Sequence, residues 1–184
     1  MPIEHDALAS APAHADEEAF DRLRRRVLWS MPTGLYLIGS IADGARNMMT
    51  ANLVTQVCVD PKLVGAAIEK TSRTHELIER GMVFSVAMLD REDRAIVRKF
   101  VKPATDDEAA HTLNSFEYID ASATGAPVLT AAIAHLDCRL HKSVPLGSHT
   151  FFIGEVVDAA FGPTPTDDDR KVLRVEDTRM SYGG

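Results

Sequence analysis

Hydrophobic residues recur at helical spacing near the start of the chain, and the pattern then becomes strand-like. Phe20, Leu23 and Val27 follow one another at intervals that place them on one side of a helix, and arginines occupy most of the positions between them. Asp16 stands where a helix N-cap is expected. The pattern therefore predicts a helix that begins after Asp16 and ends near Trp29.

Short apolar runs separated by turn signals follow this helix. They are rich in Val, Ile and Thr, which is typical of β-strands. In the run over residues 136–140, apolar and charged residues alternate, which predicts one buried side and one solvent-facing side. The six predicted strands cover residues 35–41, 53–59, 63–68, 83–89, 136–140 and 151–157.

Helical signals between these strands are few. The sequence predicts helices over residues 74–80, 90–100 and 105–113, with Thr74 as the N-cap of the first and a capping-box spacing at the start of the third. Strands that mostly follow one another without a helix between them do not form the βαβ units of a parallel sheet. We therefore predict a mainly β, α+β fold, an antiparallel barrel with short helices attached.

Composition and charge narrow the functional classes. With 184 residues, 45% hydrophobic and 26% charged, the chain has the size and balance of one globular domain. We expect a loose tail over residues 1–15 and a single domain over residues 16–184. The net charge of −7 argues against a nucleic-acid partner. Because there is no signal peptide and no apolar run of membrane-spanning length, we expect a cytoplasmic protein with no membrane partner. Cys58 and Cys138 have no CxxC spacing and fit buried thiols in a reducing compartment.

The run Lys70, Thr71, Ser72, Arg73 and Thr74 carries the strongest chemical signal. It places three hydroxyl groups and two cations at the start of a predicted helix. A helix N-terminus has unpaired backbone N–H groups and the positive end of the helix dipole, so this run could hold a phosphate monoester. The alternative is an ordinary capped helix with exposed charges.

Two other segments lie at predicted strand ends. Segment 47–52 has small and amide side chains that would let a flat ring approach the backbone, and the alternative is an ordinary turn. Segment 147–150 combines Gly147 with His149, a residue type whose ordinary pKa lies near neutrality, and the alternative is an exposed, inert histidine. There is no GxGxxG, P-loop, GxSxG or HExxH motif, so the sequence predicts no metal site and no Rossmann nucleotide site.

The order and spacing of these segments resemble the flavin reductase-like family, which has the FMN-binding split-barrel fold. The resemblance covers about residues 25–184, and no single motif carries it. It rests on Pro32–Gly34, Asn47–Asn52, Gln56–Pro61, Lys70–Ile78, Gly125–Leu129, His135–Arg139, Gly147–Val156 and Asp177–Gly184.

The resemblance implies a homodimer with FMN at the subunit interface. Thr50, Ala51 and Asn52, with Asn47 just before them, would line the isoalloxazine ring. The run from Lys70 to Thr74 would hold the ribityl phosphate, in agreement with the physics of the helix end.

The resemblance also implies a place for the nicotinamide. His149 matches the histidine of the family's Gly-Asp-His signature, which lies where flavin and nicotinamide stack, while Gly147 matches its glycine and Ser148 replaces its aspartate. We expect His149 to position the nicotinamide, and Tyr182 to stack near the flavin or to serve only in packing.

The activity that the resemblance implies is hydride transfer from C4 of NADH or NADPH to N5 of FMN, with FAD as another usable flavin. The reduced flavin would pass to a partner monooxygenase. The alternative is an electron-transfer flavoprotein of the same fold that holds FMN tightly and exchanges electrons with a protein, and Ser148 in place of Asp favours it. A third interpretation is a split-barrel module that binds haem or a deazaflavin, or that only dimerises.

Overall fold

The computed structural model describes residues 16–162 and 171–178, which fall into two compact units. The first unit contains helix α1, Glu17–Trp29. Asp16 caps this helix, because its carboxylate accepts a hydrogen bond of 2.8 Å from the backbone N–H of Ala19. The helix predicted from the spacing of Phe20, Leu23 and Val27 is therefore confirmed at both ends. Among the described residues, no helix is long and apolar enough to span a membrane.

The second unit begins at Pro32 and is mainly antiparallel sheet, which confirms the predicted fold class. Its elements are β1 (Tyr36–Ala42), β2 (Ala45–Ala51), β3 (Val54–Val59), β4 (Lys62–Glu69), α2 (Arg73–Gly81), β5 (Val83–Met88), β6 (Asp106–Asp107), β7 (Thr112–Leu113), β8 (Phe116–Asp120), β9 (Pro127–Leu129), β10 (Ala134–Leu146) and β11 (His149–Phe161). The larger sheet has the strand order β2-β1-β5-β10-β11-β4-β3, and the smaller sheet has the order β6-β7-β8-β9.

The larger sheet is rolled into a split barrel, and chain connectivity shows why. Its edge strands β2 and β3 are joined by Asn52 and Leu53 alone. Seven flat strands would hold their edges about 29 Å apart, whereas the three Cα steps from Ala51 to Val54 span at most about 11 Å. The edges must therefore meet at this linker. No strand ladder joins β2 to β3 within the described residues, so the barrel has an open seam there.

The core fills the inside of this rolled sheet. Alternate residues of the strands point inward, as the twofold period of a strand requires. The core cluster consists of Ile38, Ala51, Val64, Ala66, Ile68, Ile78, Phe84, Val86, Cys138 and Phe152. Ile78 shows that helix α2 contributes its apolar side to the same core.

Strand β9 crosses closely over β1 and β5, and a glycine permits the approach. Gly39 on β1 pairs with Ser85 on β5, and the Ser85 hydroxyl donates a 2.6 Å hydrogen bond to the carbonyl of Pro127 on β9. A Cβ placed on Gly39 would lie 2.0 Å from that carbonyl oxygen. Only glycine leaves room for this crossing.

Two of the predicted helices are wrong. Residues 105–113 contain strands β6 and β7, because Asn114 accepts the backbone N–H of Thr105 at 2.9 Å and His111 and Asn114 have positive φ angles of 55° and 51°. The capping-box spacing in this segment therefore marks a turn and not the start of a helix. Residues 90–100 form two short 3₁₀ helices, Arg91–Asp93 and Ile96–Phe100, instead of one α-helix.

Segment 47–52 and strand β10 also differ from the expectation. Segment 47–52 is mostly the second half of β2, which pairs with β1 along its whole length. On β10, the predicted solvent-facing side is confirmed at Arg139 and His141, which are exposed, and is wrong at Asp137, which is fully buried, and at His135, which is nearly so. The Asp137 carboxylate accepts hydrogen bonds from the backbone N–H groups of Ala123 and Thr124, at 2.9 and 3.1 Å, and from the Thr124 hydroxyl. A loop thus covers Asp137 on the side of β10 that the alternation assigned to solvent.

The two cysteines are free thiols with different exposure. Cys138 is fully buried on β10, as predicted, whereas Cys58 on β3 is only partly buried. Burial, with a smaller contribution from the neighbouring Asp137, raises the pKa of Cys138 to about 12. Because the thiolate is the reactive form, Cys138 is unreactive at neutral pH.

We expect iodoacetamide at pH 8 to alkylate Cys58 in the native chain and Cys138 only after unfolding. At that pH roughly one Cys138 thiol in ten thousand is ionised, by the ordinary titration relation. Intact-mass measurement should show one added group before urea and two after it. Two added groups on the native chain would contradict the burial of Cys138.

Candidate functional site

The N-terminus of α2 presents a group of donors beside the barrel. Ser72 is its N-cap, since the Ser72 hydroxyl accepts the backbone N–H of His75 at 3.2 Å. The prediction of Thr74 as the cap is therefore wrong, and Thr74 lies buried in the first turn. The backbone N–H groups of Arg73 and Thr74 belong to that first turn and have no helical partner. Thr71 is exposed at the same end.

Arg73 lies on the exposed side of α2 in an ion-pair ladder. Glu76 accepts hydrogen bonds from Arg73 and from Arg80, and Arg80 also pairs with Asp43 in the β1–β2 turn. The hydrogen bond from Arg73, followed by that from Arg80, lowers the pKa of Glu76. Arg73 is therefore held near the helix N-terminus by a carboxylate that any anionic ligand would have to displace or share.

Lys70 joins the segment before α2 to the turn between β10 and β11. Its backbone N–H donates to the carbonyl of Ser148 at 3.0 Å, and its Nζ donates to the carbonyl of Gly147 at 2.7 Å. Gly147 has a positive φ of 37°, as a two-residue hairpin turn allows. Beyond the turn, the Ser148 hydroxyl lies 2.9 Å from Nδ1 of His149. The fold thus brings Lys70 together with three other predicted site residues, Gly147, Ser148 and His149.

His75 makes a second link between α2 and β11, and the sequence did not single it out. It is buried, its Nε2 lies 2.7 Å from the hydroxyl of Thr150, and its ring packs against Phe152 with the centroids 5.0 Å apart. Thr150 directly follows His149. The signal that could have located His75 is its place directly after the Lys70–Thr74 run and just before the apolar helical residues Leu77 and Ile78.

Asn47 ties β2 to α2 from the inside. It is 2% exposed, its Nδ2 donates to the Thr74 hydroxyl at 2.8 Å, and its Oδ1 accepts the backbone N–H of Ala104 at 2.7 Å. Both ends of the amide are thus used within the protein. The position of Asn47 supports the first turn of α2, and its side chain is directed away from solvent.

Thr50, Ala51 and Asn52 lie at the seam of the barrel. Thr50 is buried and its hydroxyl donates to the carbonyl of Val97 at 2.6 Å, so this side chain is also engaged internally. Because β2 is an edge strand that pairs with β1 alone among the strands the structure describes, alternate backbone groups of this segment face outward. The segment therefore offers a ligand its backbone donors and acceptors more than its side chains.

The structure links the three predicted segments through Lys70 and Asn47. The N-terminus of α2 contacts β2 through Asn47 and the β10–β11 turn through Lys70. Tyr182 lies outside the described residues. An apolar cavity of about 370 Å³ opens in the barrel, and none of the predicted site residues lines it. Its walls are formed by Tyr36, Val54, Thr55, Gln56, Lys62, Leu63, Val64, Val86, Met88, Leu136, Val156 and Ala159.

Comparison with known proteins identifies the family. Residues 28–176 match the family model described as flavin reductase like domain. An NADH-dependent FAD reductase of Streptomyces globisporus is 31% identical over 147 residues, which cover 78% of each chain. The reductase subunit HsaB of a flavin-dependent monooxygenase of Rhodococcus jostii is 32% identical over 142 residues, which cover 76% of this chain and 69% of that protein.

A solved structure agrees with these sequence relatives. The NADH:FAD oxidoreductase SgcE6 of Streptomyces globisporus C-1027 superimposes with a TM-score of 0.70 at 26% identity, over 91% of this chain and 90% of that one. The family model's range includes the strands of the rolled sheet, the α2 N-terminus and the β10–β11 turn. The chain belongs to the flavin reductase-like family.

Proposed function

We propose that this chain reduces FMN with NAD(P)H at a site formed by the β2 seam, the N-terminus of α2 and the β10–β11 turn. The coarser activity follows from the family and its relatives: the chain is an NAD(P)H-dependent flavin reductase of the kind that supplies reduced flavin to a monooxygenase. FMN as the flavin, the residues that hold it, a homodimer with the flavin at its interface and a cytoplasmic location are proposals.

The observation that carries the proposal is the donor set around Lys70 and the first turn of α2. Two backbone N–H groups without helical partners, the Thr71 hydroxyl and the Lys70 ammonium lie within one short segment. This is the chemistry that a phosphate monoester requires, and FMN carries one. FAD has a phosphate at the same place on its ribityl chain, so the donor set fits both flavins.

The remaining residues would orient the two substrates. The flavin supplies the hydride acceptor, and the chain supplies geometry and approach distance. Backbone groups of Thr50–Asn52 at the seam would hydrogen-bond the ring edge. His149 would place the nicotinamide, with Ser148 holding the imidazole from its Nδ1 side across 2.9 Å. No residue of this site needs to transfer a proton in the hydride step.

An anaerobic absorbance titration tests the proposal. Purified protein is titrated with FMN and, separately, with FAD, and NADH or NADPH is then added. We expect FMN to bind and its oxidised bands to bleach faster than in a protein-free control. FMN that binds but stays oxidised with both donors would instead favour the electron-transfer flavoprotein. Binding of FAD alone would overturn FMN as the flavin.

Replacement of Arg73 by alanine should weaken FMN about tenfold and riboflavin much less, because riboflavin lacks the phosphate. The matched control is Arg80→Ala, which removes the other arginine that pairs with Glu76, at the opposite end of the helix. This control should leave the ratio of FMN to riboflavin affinity unchanged. Equal losses for both flavins in Arg73→Ala, measured by fluorescence titration, would remove Arg73 from the phosphate site.

Replacement of His149 by alanine should raise the KM for NADH about tenfold, since a positioned hydrogen-bond partner of the nicotinamide is lost. FMN affinity should change little. His141→Ala, which removes an exposed histidine on β10, is the matched control. Steady-state kinetics would contradict the assignment if His149→Ala kept both the turnover rate and the KM of the parent enzyme.

A further inference from the structure

The two-residue turn between β10 and β11 is held by one residue, Lys70, through both its side chain and its backbone N–H. Leu146 pairs with His149, so Gly147 and Ser148 form the whole turn. Both turn carbonyls accept hydrogen bonds from Lys70, one from its Nζ at 2.7 Å and one from its backbone N–H at 3.0 Å. Lys70 therefore contributes to the position of the turn, and His149 directly follows the turn.

The Lys70 ammonium has donors to spare. It carries three N–H groups, and the Gly147 carbonyl uses one of them. The side chain is exposed at the same end of α2 that presents its unpaired backbone N–H groups. A phosphate at that end could take the remaining donors while the bond to Gly147 stays in place.

We propose that Lys70 couples the two substrate sites by bridging the flavin phosphate and the Gly147 carbonyl. This inference rests on the proposed function, because it needs the phosphate at the N-terminus of α2. A bound phosphate fixes the ammonium, and the fixed ammonium holds the turn and His149 in one position. Lys70 is thus a positioning residue for the nicotinamide as well as a contact of the flavin.

The coupling should be positive, so that each substrate tightens the binding of the other. An exposed lysine side chain samples many rotamers, and ordering it when the nicotinamide binds costs free energy. If the phosphate has already ordered Lys70, that cost falls and the nicotinamide binds more tightly. Because coupling between two binding sites is reciprocal, the nicotinamide must tighten flavin binding by the same factor.

The bridge can be removed without removing the turn. In Lys70→Met the backbone bond from residue 70 to Ser148 remains, as do the pairings of Ile68 with Thr150 and of Glu69 with His149. The link between His75 and Thr150 also remains. The variant therefore keeps the β4–β11 ladder and loses only the ammonium.

The test compares FMN with riboflavin, which lacks the phosphate. The KM for NADH is measured with each flavin at saturation, in the parent enzyme and in Lys70→Met. In the parent enzyme, we expect the KM for NADH to be at least about fivefold lower with FMN than with riboflavin. In Lys70→Met, we expect the ratio of these two KM values to fall to one. The ratio of the kcat values with the two flavins should change less than the KM ratio. A general loss of structure would not produce this difference. Lys142→Met, on the exposed side of β10, is the matched control and should keep the parent ratio.

Calorimetric titration of NAD⁺ into the protein saturated with each flavin gives a second readout that does not need turnover. Tighter NAD⁺ binding with FMN than with riboflavin, lost in Lys70→Met, supports the bridge. If FMN binds more tightly than riboflavin but the nicotinamide affinities are equal, the coupling is wrong and the phosphate site stands. If the two flavins bind equally, the phosphate site itself is wrong, and the bridge with it.

Discussion

Replacement of Asp137 by alanine should lower the free energy of unfolding by about 3–4 kcal/mol, because three donors lose a buried carboxylate. The Asp137 carboxylate is fully buried and accepts the backbone N–H groups of Ala123 and Thr124 together with the Thr124 hydroxyl. These donors would be left without partners inside the protein. The loop they belong to would lose its anchor on β10.

Urea denaturation followed by circular dichroism measures this effect. Asp137→Asn keeps the size and one acceptor oxygen, so we expect a loss of about 1–2 kcal/mol. Glu155→Ala removes an exposed carboxylate from the neighbouring strand β11, at the residue that pairs with Arg139, and should cost less than about 0.5 kcal/mol. A cost below 1 kcal/mol for Asp137→Ala would show that the loop is not anchored by this carboxylate.

Replacement of Gly39 by alanine should cost about 3 kcal/mol, because the added methyl group overlaps a backbone atom. Its Cβ would lie 2.0 Å from the carbonyl oxygen of Pro127 and 2.5 Å from Oγ of Ser85. Strand β9 would have to move away from β1. The hydrogen bond from Ser85 to Pro127 would then lengthen or break.

Gly65→Ala is the matched comparison for the Gly39 substitution. A Cβ on Gly65 would also overlap a neighbour, but that neighbour is the outer end of the Phe151 ring, 2.1 Å away. A half-buried side chain can swing away about χ1 where a backbone carbonyl cannot, so we expect a smaller loss of stability. Equal costs in thermal and urea unfolding would show that β9 yields as easily as a side chain.

Local patterns predicted the fold class well but missed parts of the architecture that depend on long-range packing. The helix after Asp16 follows from cap and spacing, and the apolar runs gave most of the long strands. The sequence over 105–113 has helical spacing, yet positive φ angles at His111 and Asn114 make it two short strands. Asp137 looked solvent-facing because alternation along one strand says nothing about a loop that arrives from elsewhere to cover it.

The candidate site stays a prediction, and the structure changes the part that individual residues can play in it. Helix-end physics located the Lys70–Thr74 run, but the cap is Ser72, and Thr74 points inward to Asn47. A link such as Lys70 to Gly147 joins residues 77 positions apart, so no local pattern contains it. His75 was missed for the same reason, since its partner Thr150 comes close only when α2 packs beside β11.

The seam between β2 and β3 has a kinetic consequence for whatever binds there. A ligand that pairs with the outward backbone of an edge strand can arrive and leave without separating two strands, because no ladder in residues 16–162 and 171–178 closes the barrel at that line. The barrier to exchange is then set by the ligand's own contacts and not by an opening of the fold. A flavin held at this seam can therefore be released after each turnover, as delivery of a diffusible reduced flavin to a second enzyme requires.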